Sequence, residues 1–209
     1  MNDATIREGF HRKRLRRHHA ACDTLVVDEL GLMHGKCRAD IAVINGHLSG
    51  YEIKSDEDTL NRLEQQAPAY AAVFDRATVV IGEKHAQDVE ACIPEWWGIV
   101  LSRQGIRGSI SFETVRRGHR NMAVDPFAVA QLLWRNEAEE LLAEMDCPQI
   151  VLRQKRSVLY EHLAASISLQ ELRHRVSERL RRRRNWRRPV VRAPNGGLSR
   201  PTAKLSDFL

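Results

Sequence analysis

Two turn signals, His34-Gly35 and Asn45-Gly46, cut the stretch from Thr24 to Ser55 into three short runs, and this punctuation restricts the fold more than any other feature of the chain. The runs are Thr24 to Met33, Lys36 to Asn45 and His47 to Ser55. Each has strand character and is bounded by turn residues. Strands joined by loops this short can pair only antiparallel, since a parallel return needs a crossover of a dozen or more residues. The segment is therefore expected to form a three-stranded antiparallel meander.

Register follows from loop length. If His34-Gly35 is a two-residue loop, Met33 faces Lys36 and Glu29 lies opposite Asp40. If Asn45-Gly46-His47 is a three-residue loop, Ile44 faces Leu48 and Asp40 lies opposite Glu52. Directly opposed residues share a face, so the carboxylates of Glu29, Asp40 and Glu52 are expected in a row, roughly 5 Å apart. Lys54, two residues after Glu52, joins them. Ile41, Val43, Tyr51 and Ile53 then take the opposite, core face. A two-residue turn at Asn45-Gly46 would instead put Asp40 and Glu52 on opposite faces.

Like charges directly opposed destabilise a sheet by a few tenths to about 1 kcal/mol per pair, so folding alone gives no reason to collect them. A hard divalent cation does, because Mg²⁺ is held by one or two carboxylates, waters and phosphate oxygens. Such an ion lowers the pKa of a water and neutralises charge on a phosphate, while a lysine ammonium orients the attacking water. The set suits phosphodiester hydrolysis. By itself a D-x11-E-x-K spacing arises by chance in many proteins and carries little weight.

The elements around the meander are legible from period and caps. Asn2 or Asp3 caps a helix expected to run to about His19, apolar at Ile6, Phe10 and Leu15 and basic elsewhere. After Lys54 the polar cluster Ser55 to Asp58 opens a second helix carrying Leu60, Leu63, Ala67, Tyr70 and Phe74, with Pro68 expected to bend it. Thr78 to Ile81 and Trp97 to Leu101 read as buried strands, His85 to Cys92 as a short helix, and Ser109 to Val115 as an edge strand. Trp96-Trp97 is expected to pack in the core rather than stack on bases. Arg116, Arg117 and Arg120 around Gly118 form a basic loop, equally suited to contacting phosphate and to lying free as a polar loop.

From Asp125-Pro126 the pattern is helical: one helix to about Met145, a second over Gln154 to Ala165, and a third opened by the capping box Ser168-Leu-Gln-Glu171. The last two are spaced as a helix-turn-helix. Leu169, Leu172, Val176 and Leu180 line one face of the third helix, and Arg173, Arg175, Arg179, Arg182 and Arg183 are candidate nucleic-acid contacts on the rest. The alternative is a basic helix that packs back on the acidic body or binds a partner protein. The Pro-, Gly- and Ser-rich end is expected to be disordered.

Charge supports this division. The chain has 33 Lys plus Arg and 27 Asp plus Glu, a net +6, but residues 21–150 carry −9 between ends of +4 (1–20) and +11 (151–200). No apolar run approaches the roughly 20 residues that span a bilayer, and the N-terminus lacks the apolar stretch of a signal peptide. The four cysteines and nine histidines show no zinc spacing. A cytoplasmic protein with reduced thiols and no membrane partner is expected.

Ala39-Asp40-Ile-Ala-Val-Ile followed by Gly50-Tyr-Glu52-Ile-Lys54 resembles the PD-(D/E)XK nuclease superfamily, and Gln66-Ala-Pro-Ala-Tyr70 is similar to the Q-x-x-x-Y motif of its RecB-type members. Val26-Val-Asp-Glu-Leu-Gly, His34-Gly and Leu133-Trp-Arg-Asn-Glu-Ala resemble, more closely, a family of small bacterial and phage proteins within that superfamily, up to about Trp186. The resemblance implies an α/β, restriction-endonuclease-like core of helix, three-stranded antiparallel meander, helix and strand over residues 1–122. A basic helical extension over 123–188 and a tail over 189–209 would follow. It implies Asp40 and Glu52 as metal-ligating acids, the Ile53 carbonyl as a further ligand, Glu29 as an additional acid and Lys54 as the catalytic lysine. Gln66 would be a catalytic positioning residue and Tyr70 its accessory. Ala39 stands where the superfamily name has proline, at a variable position.

The expected function is a Mg²⁺- or Mn²⁺-dependent deoxyribonuclease acting on DNA in repair, recombination or phage-related processes. The alternatives are a catalytically inactive nuclease-like DNA-binding module and a helix-turn-helix regulator. A homodimer and a partner protein both stay open.

Overall fold

A computed structural model describes residues 1–183 and 186. The expected tail, 189–209, lies outside the described residues. The protein is a mixed α/β structure built on one six-stranded sheet in the order β1-β2-β3-β4-β5-β6. β1 (Leu25–Leu32), β2 (Cys37–Ile44) and β3 (Leu48–Lys54) form the expected antiparallel meander. β4 (Arg76–Ile81) runs parallel to β3, β5 (Gly98–Gln104) parallel to β4, and β6 (Ile110–Arg116) closes the edge antiparallel to β5.

Both loop readings give the observed registers. Leu32 pairs with Cys37 and Leu30 with Ala39, as a hairpin about His34-Gly35 requires, and Ile44 pairs with Leu48 across a three-residue loop. Gly46 takes a φ of +88°, the left-handed conformation that favours glycine in this loop type.

Helices cover both faces. α1 (Asp3–Lys13) is capped by the Asn2 side chain, which accepts from the Thr5 amide. It lays Ile6 and Phe10 on Ile41, Val43, Ile53, Val80 and Val100. The expected single helix breaks at Arg14 and Leu15, where buried Leu15 joins that cluster, and resumes as α2 (Arg16–Ala20). The other face is covered by α3 (Leu63–Val73), α4 (Pro126–Ala130), α5 (Arg135–Glu144), α7 (Arg156–Ser166) and α8 (Leu169–Arg182), with the one-turn α6 (Gln149–Leu152) beside α7.

Three boundaries differ from expectation. α3 starts at Leu63 rather than after Lys54, because Asp58 turns back to accept from both the Ser55 amide and its hydroxyl. The helix from Asp125-Pro126 is two pieces, since the chain is extended at Trp134 and the Glu137 carboxylate accepts from its amide to start α5. The residues 83–92 hold two short 3₁₀ segments in place of one helix. One apolar cluster runs from Val27 and Ile44 in the sheet through Val129, Leu141 and Leu159 to Val176 and Leu180, so the helical extension shares the sheet's core. Trp97 is fully buried in it.

Candidate active site

The site lies where β2 and β3 separate. Their ladder runs from Ile44↔Leu48 to Ile41↔Tyr51 and ends there. Beyond it the Ile53 amide donates to Asp40 Oδ2 at 2.7 Å, so a side-chain oxygen stands where a backbone carbonyl would continue the sheet.

Asp40 reaches this position because the alternation of both β1 and β2 slips at one level. In β1, Leu25 and Val27 face the helical layer, and so do Leu30 and Leu32, a step of three residues where two is normal. In β2 the same step separates Ala39 from Ala42. Glu29 and Asp40 sit in these steps, and no ladder pair joins them, although Asp28↔Ile41 and Leu30↔Ala39 pair on either side. Glu29 takes a left-handed φ of +59°, strained for a non-glycine residue.

The expected row of three carboxylates on one face is therefore not assembled. Glu29 leaves the ladder and forms ion pairs instead with Arg7 (3.2 Å) and Arg38, whereas Asp40 and Glu52 line one cavity of about 420 Å³ with Ile53, Lys54 and Gln66. Among the described residues, no group of three or more His, Cys, Asp or Glu side chains is placed to hold a metal ion.

Glu52 is the anchor. It is 2% exposed, and the side chains around it satisfy both of its oxygens. Oε1 accepts from Lys54 Nζ at 2.7 Å and from Gln66 Nε2 at 2.7 Å, and Oε2 accepts from the Tyr70 hydroxyl at 2.6 Å. Gln66 Oε1 in turn accepts from Lys54 Nζ at 3.2 Å. Glu52 and Lys54 share a face of β3 because they are two residues apart. Gln66 and Tyr70 share a face of α3 because they are four apart, so strand and helix periods meet at one carboxylate. Pro68 lies inside α3 without turning Gln66 away from this contact.

Asp40 differs from Glu52. Burial, followed by repulsion from Glu52, pushes its pKa up from 3.8 to about 7, against the opposing Ile53 amide and Arg7. Burial and the negative charge of Glu52 also raise the Tyr70 hydroxyl well above its usual range, which keeps it a donor.

Arg7 had no sequence signal beyond its basic helix, yet it ties the acids together. Its Nη2 lies 3.0 Å from Asp40 Oδ1 and 3.2 Å from Glu29, its Nη1 donates to the Asp40 carbonyl at 2.7 Å, and its Nε to Asp3 at 3.2 Å. Burial opposes the charge of this guanidinium, but Asp40 and Asp3 more than offset it and raise its pKa. A second array beside it was equally unsignalled: His11 Nε2 contacts Asp28 at 2.8 Å and His11 Nδ1 contacts His19 at 2.9 Å.

The candidate nucleic-acid arginines lie elsewhere, on α8 and just after it. Arg173 is buried with Nη2 2.6 Å from Asp75, Arg179 holds Glu144 at 2.6 Å, Arg175 holds Glu171 at 2.6 Å, and Arg183 is clasped to Glu137 at 2.5 Å. Arg182 is exposed. Four of the five thus neutralise carboxylates of their own chain, which is the packing-back alternative. Ile167 and Ser168 connect α7 to α8, with Ser168 accepting from the Glu171 amide. No described helix is long and apolar enough to cross a membrane.

Comparison with known proteins adds a lineage to this geometry. The model of a family described as Bacteriophage P4 protein cII matches residues 11–195. "Protein cII" of Enterobacteria phage P4 is 27% identical over 161 residues, covering 77% of this chain and 60% of the relative. The chain thus spans less than two thirds of that curated relative's length. No solved structure matches.

Proposed function

This chain belongs to the bacteriophage P4 protein cII family, and we propose that it is a metal-dependent nuclease hydrolysing DNA phosphodiester bonds, on a restriction-endonuclease-like core of the PD-(D/E)XK type. The observation that carries the reading is the convergence of Asp40, Glu52, Lys54 and Gln66 on one cavity, with the lysine ammonium 2.7 Å from Glu52. The donor set fits Mg²⁺ or Mn²⁺: all oxygen, two carboxylates, room for waters and phosphate oxygens. The raised pKa of Asp40 agrees, since the repulsion from Glu52 that helps hold its proton is what a cation between them would relieve.

When bound, the cation supplies a water of lowered pKa and positive charge against the phosphate. Asp40 and Glu52 would hold it in this scheme, with the Ile53 carbonyl as a further ligand. Tyr70 and Gln66 fix the rotamer of Glu52. Lys54, tethered by Glu52 and Gln66, places its ammonium to orient the nucleophile and to neutralise charge developing on the phosphate.

A non-cleaving DNA-binding module is the second reading, and one observation favours it: Arg7 already neutralises Asp40 and Glu29. Incubation with linear, circular, single-stranded and branched DNA in Mg²⁺ or Mn²⁺ separates the two. Cleavage by the wild type that is lost in Glu52→Ala and Lys54→Ala supports the nuclease. Equal cleavage in all three proteins removes the assigned site, and no cleavage of any substrate leaves the binding module.

A further inference from the structure

On the α1 side of the sheet a second cavity, of about 640 Å³, is lined by cations and by no carboxylate. Arg14 borders it from the α1–α2 turn and His18 from α2, Arg76 from the start of β4, and Arg116 and Arg117 from the end of β6. Its apolar floor is Phe10, Leu15 and Val100, each at most 3% exposed. Hydroxyls of Ser49, Thr78 and Thr114 add neutral donors.

Three of these cations, Arg14, Arg76 and Arg116, are held in place by neutral acceptors. Arg14 Nη2 donates to Thr114 Oγ1 at 2.8 Å, Arg76 Nη1 to the Gly118 carbonyl at 2.8 Å, and Arg116 Nε to the Trp97 carbonyl at 2.9 Å. The nearest carboxylate to any of them is Glu90, 3.9 Å from Arg116 Nη1. Among the described residues Arg14, Arg76 and Arg117 form no ion pair. The contrast with α8 is direct, since four arginines there each hold a carboxylate of this chain.

The wall of the cavity is also set rigidly. A Cβ on Gly98 would come within 3.0 Å of the Gly118 amide, and one on Gly118 within 2.9 Å of the Gly98 amide, so two backbones meet where only glycine fits. The His119 amide, bonded to the Trp96 carbonyl at 2.8 Å, closes the same corner. Four guanidiniums gathered on a fixed frame repel one another, and folding alone does not reward that arrangement. An anion with several acceptor oxygens does, because guanidinium forks match phosphate geometry.

We propose that this cleft binds phosphate groups, presented either by a free nucleoside phosphate or by a nucleic-acid strand. The cavity volume falls within the roughly 300–1,000 Å³ of small-ligand sites, enough for a nucleotide, and is open to one segment of a longer strand. The proposal stands whether or not the carboxylate site cleaves DNA.

The test measures binding by the full chain in EDTA. Its probes are inorganic pyrophosphate, a nucleoside triphosphate and a short fluorescein-labelled single-stranded oligodeoxynucleotide, each titrated at several salt concentrations. Wild type and Arg182→Gln are expected to bind alike. Arg14→Gln/Arg117→Gln is expected to bind at least about tenfold more weakly, and its log-affinity should fall less steeply with log salt, by about 1.4 for the single-stranded oligonucleotide. Arg117→Gln alone, which breaks no hydrogen bond among the described residues, gives the same trend if the double variant melts early. Binding of the oligonucleotide alone identifies a strand as the source, and binding of the triphosphate identifies a free nucleotide. Binding of no phosphate probe, or wild-type binding by both folded variants, overturns the proposal. Binding without cleavage on any DNA leaves the cleft and removes only the nuclease reading.

Discussion

The Tyr70 hydroxyl lies 2.6 Å from Glu52 Oε2 and donates the hydrogen bond that holds this oxygen, while Lys54 and Gln66 share the other. A buried acceptor that loses its donor bears the cost of its own desolvation, about 1–3 kcal/mol. Tyr70→Phe should therefore lower stability by that amount in urea unfolding. If the carboxylate site is catalytic, it should also reduce DNA cleavage although the tyrosine touches no substrate. Unchanged urea midpoints would mean that water replaces the phenol.

Asp40 sets a pH dependence whose sign follows from its pKa. The folded chain holds the Asp40 proton with a pKa of about 7, against an ordinary 3.8, so the penalty for ionising it is absent below about 4, grows from about 4 to 7 and is complete above 7. Asp40→Asn should raise Tm relative to wild type at pH 8, with the gain shrinking as pH falls towards 4. A cation at the site must displace the proton, so Mn²⁺ should raise the wild-type Tm more at pH 8 than at pH 5.5 and have little effect on Asp40→Asn. A Tm difference independent of pH would contradict the assignment.

If a divalent cation binds the carboxylates, Arg7 competes with it for the same charge. Arg7→Ala removes the guanidinium from Asp40 and Glu29, so the apo protein should melt earlier while its Mn²⁺-induced rise in Tm becomes larger than that of wild type. A smaller rise would show that Arg7 supports the cation site rather than opposing it.

Arg173 faces Asp75 in the core, at 9% and 3% side-chain exposure, and Asp75 Oδ2 also accepts from the Leu48 amide at 2.9 Å. The 2.6 Å contact between the two is an ion pair without hydrogen-bond alignment, and Arg173 Nε has no acceptor. Arg173→Ala strands a buried carboxylate and should cost about 3–5 kcal/mol. Arg182→Ala, at an exposed position about two and a half turns further along α8, should cost less than about 0.5 kcal/mol. Equal effects would return Arg173 to the surface.

Gly50 opens the Gly50-Tyr-Glu52-Ile-Lys54 stretch for a steric reason. A Cβ there would meet the buried Phe74 ring at 2.6 Å. Gly50→Ala should overpack the interface of β3 with the end of α3 and destabilise by about 1–3 kcal/mol, and Gly50→Ala/Phe74→Leu should recover part of the loss in thermal melts.

Register and strand position were legible because loop length fixes both: Ile44 opposite Leu48 follows from three loop residues and needs no tertiary information. That Glu52 and Lys54 share a face was legible from the strand period, whereas Gln66 and Tyr70 were named only through the likeness to a Q-x-x-x-Y motif, and their contacts with Glu52 belong to the tertiary structure. Arg7 was not, since a helix with several arginines does not say which one meets an acid 33 residues away. The ion pairs of the α8 arginines were not legible for the converse reason. Charge counts do not distinguish a guanidinium facing solvent from one facing Glu137 or Glu144. The break at Leu15 and the split at Trp134 reflect tertiary packing and a capping carboxylate, which override helical propensity.

The slip shared by β1 and β2 makes Glu29 and Asp40 surplus to the sheet. With both struck out, Leu25, Val27, Leu30 and Leu32 fall into unbroken alternation, as do Cys37, Ala39, Ala42 and Ile44, and the hairpin keeps its cross-strand partners. Deleting either residue alone shifts one strand against the other and turns half the hairpin inside out. The acids are thus an insertion into an otherwise regular ribbon, one residue per strand, and the hairpin can accept or discard them only as a pair.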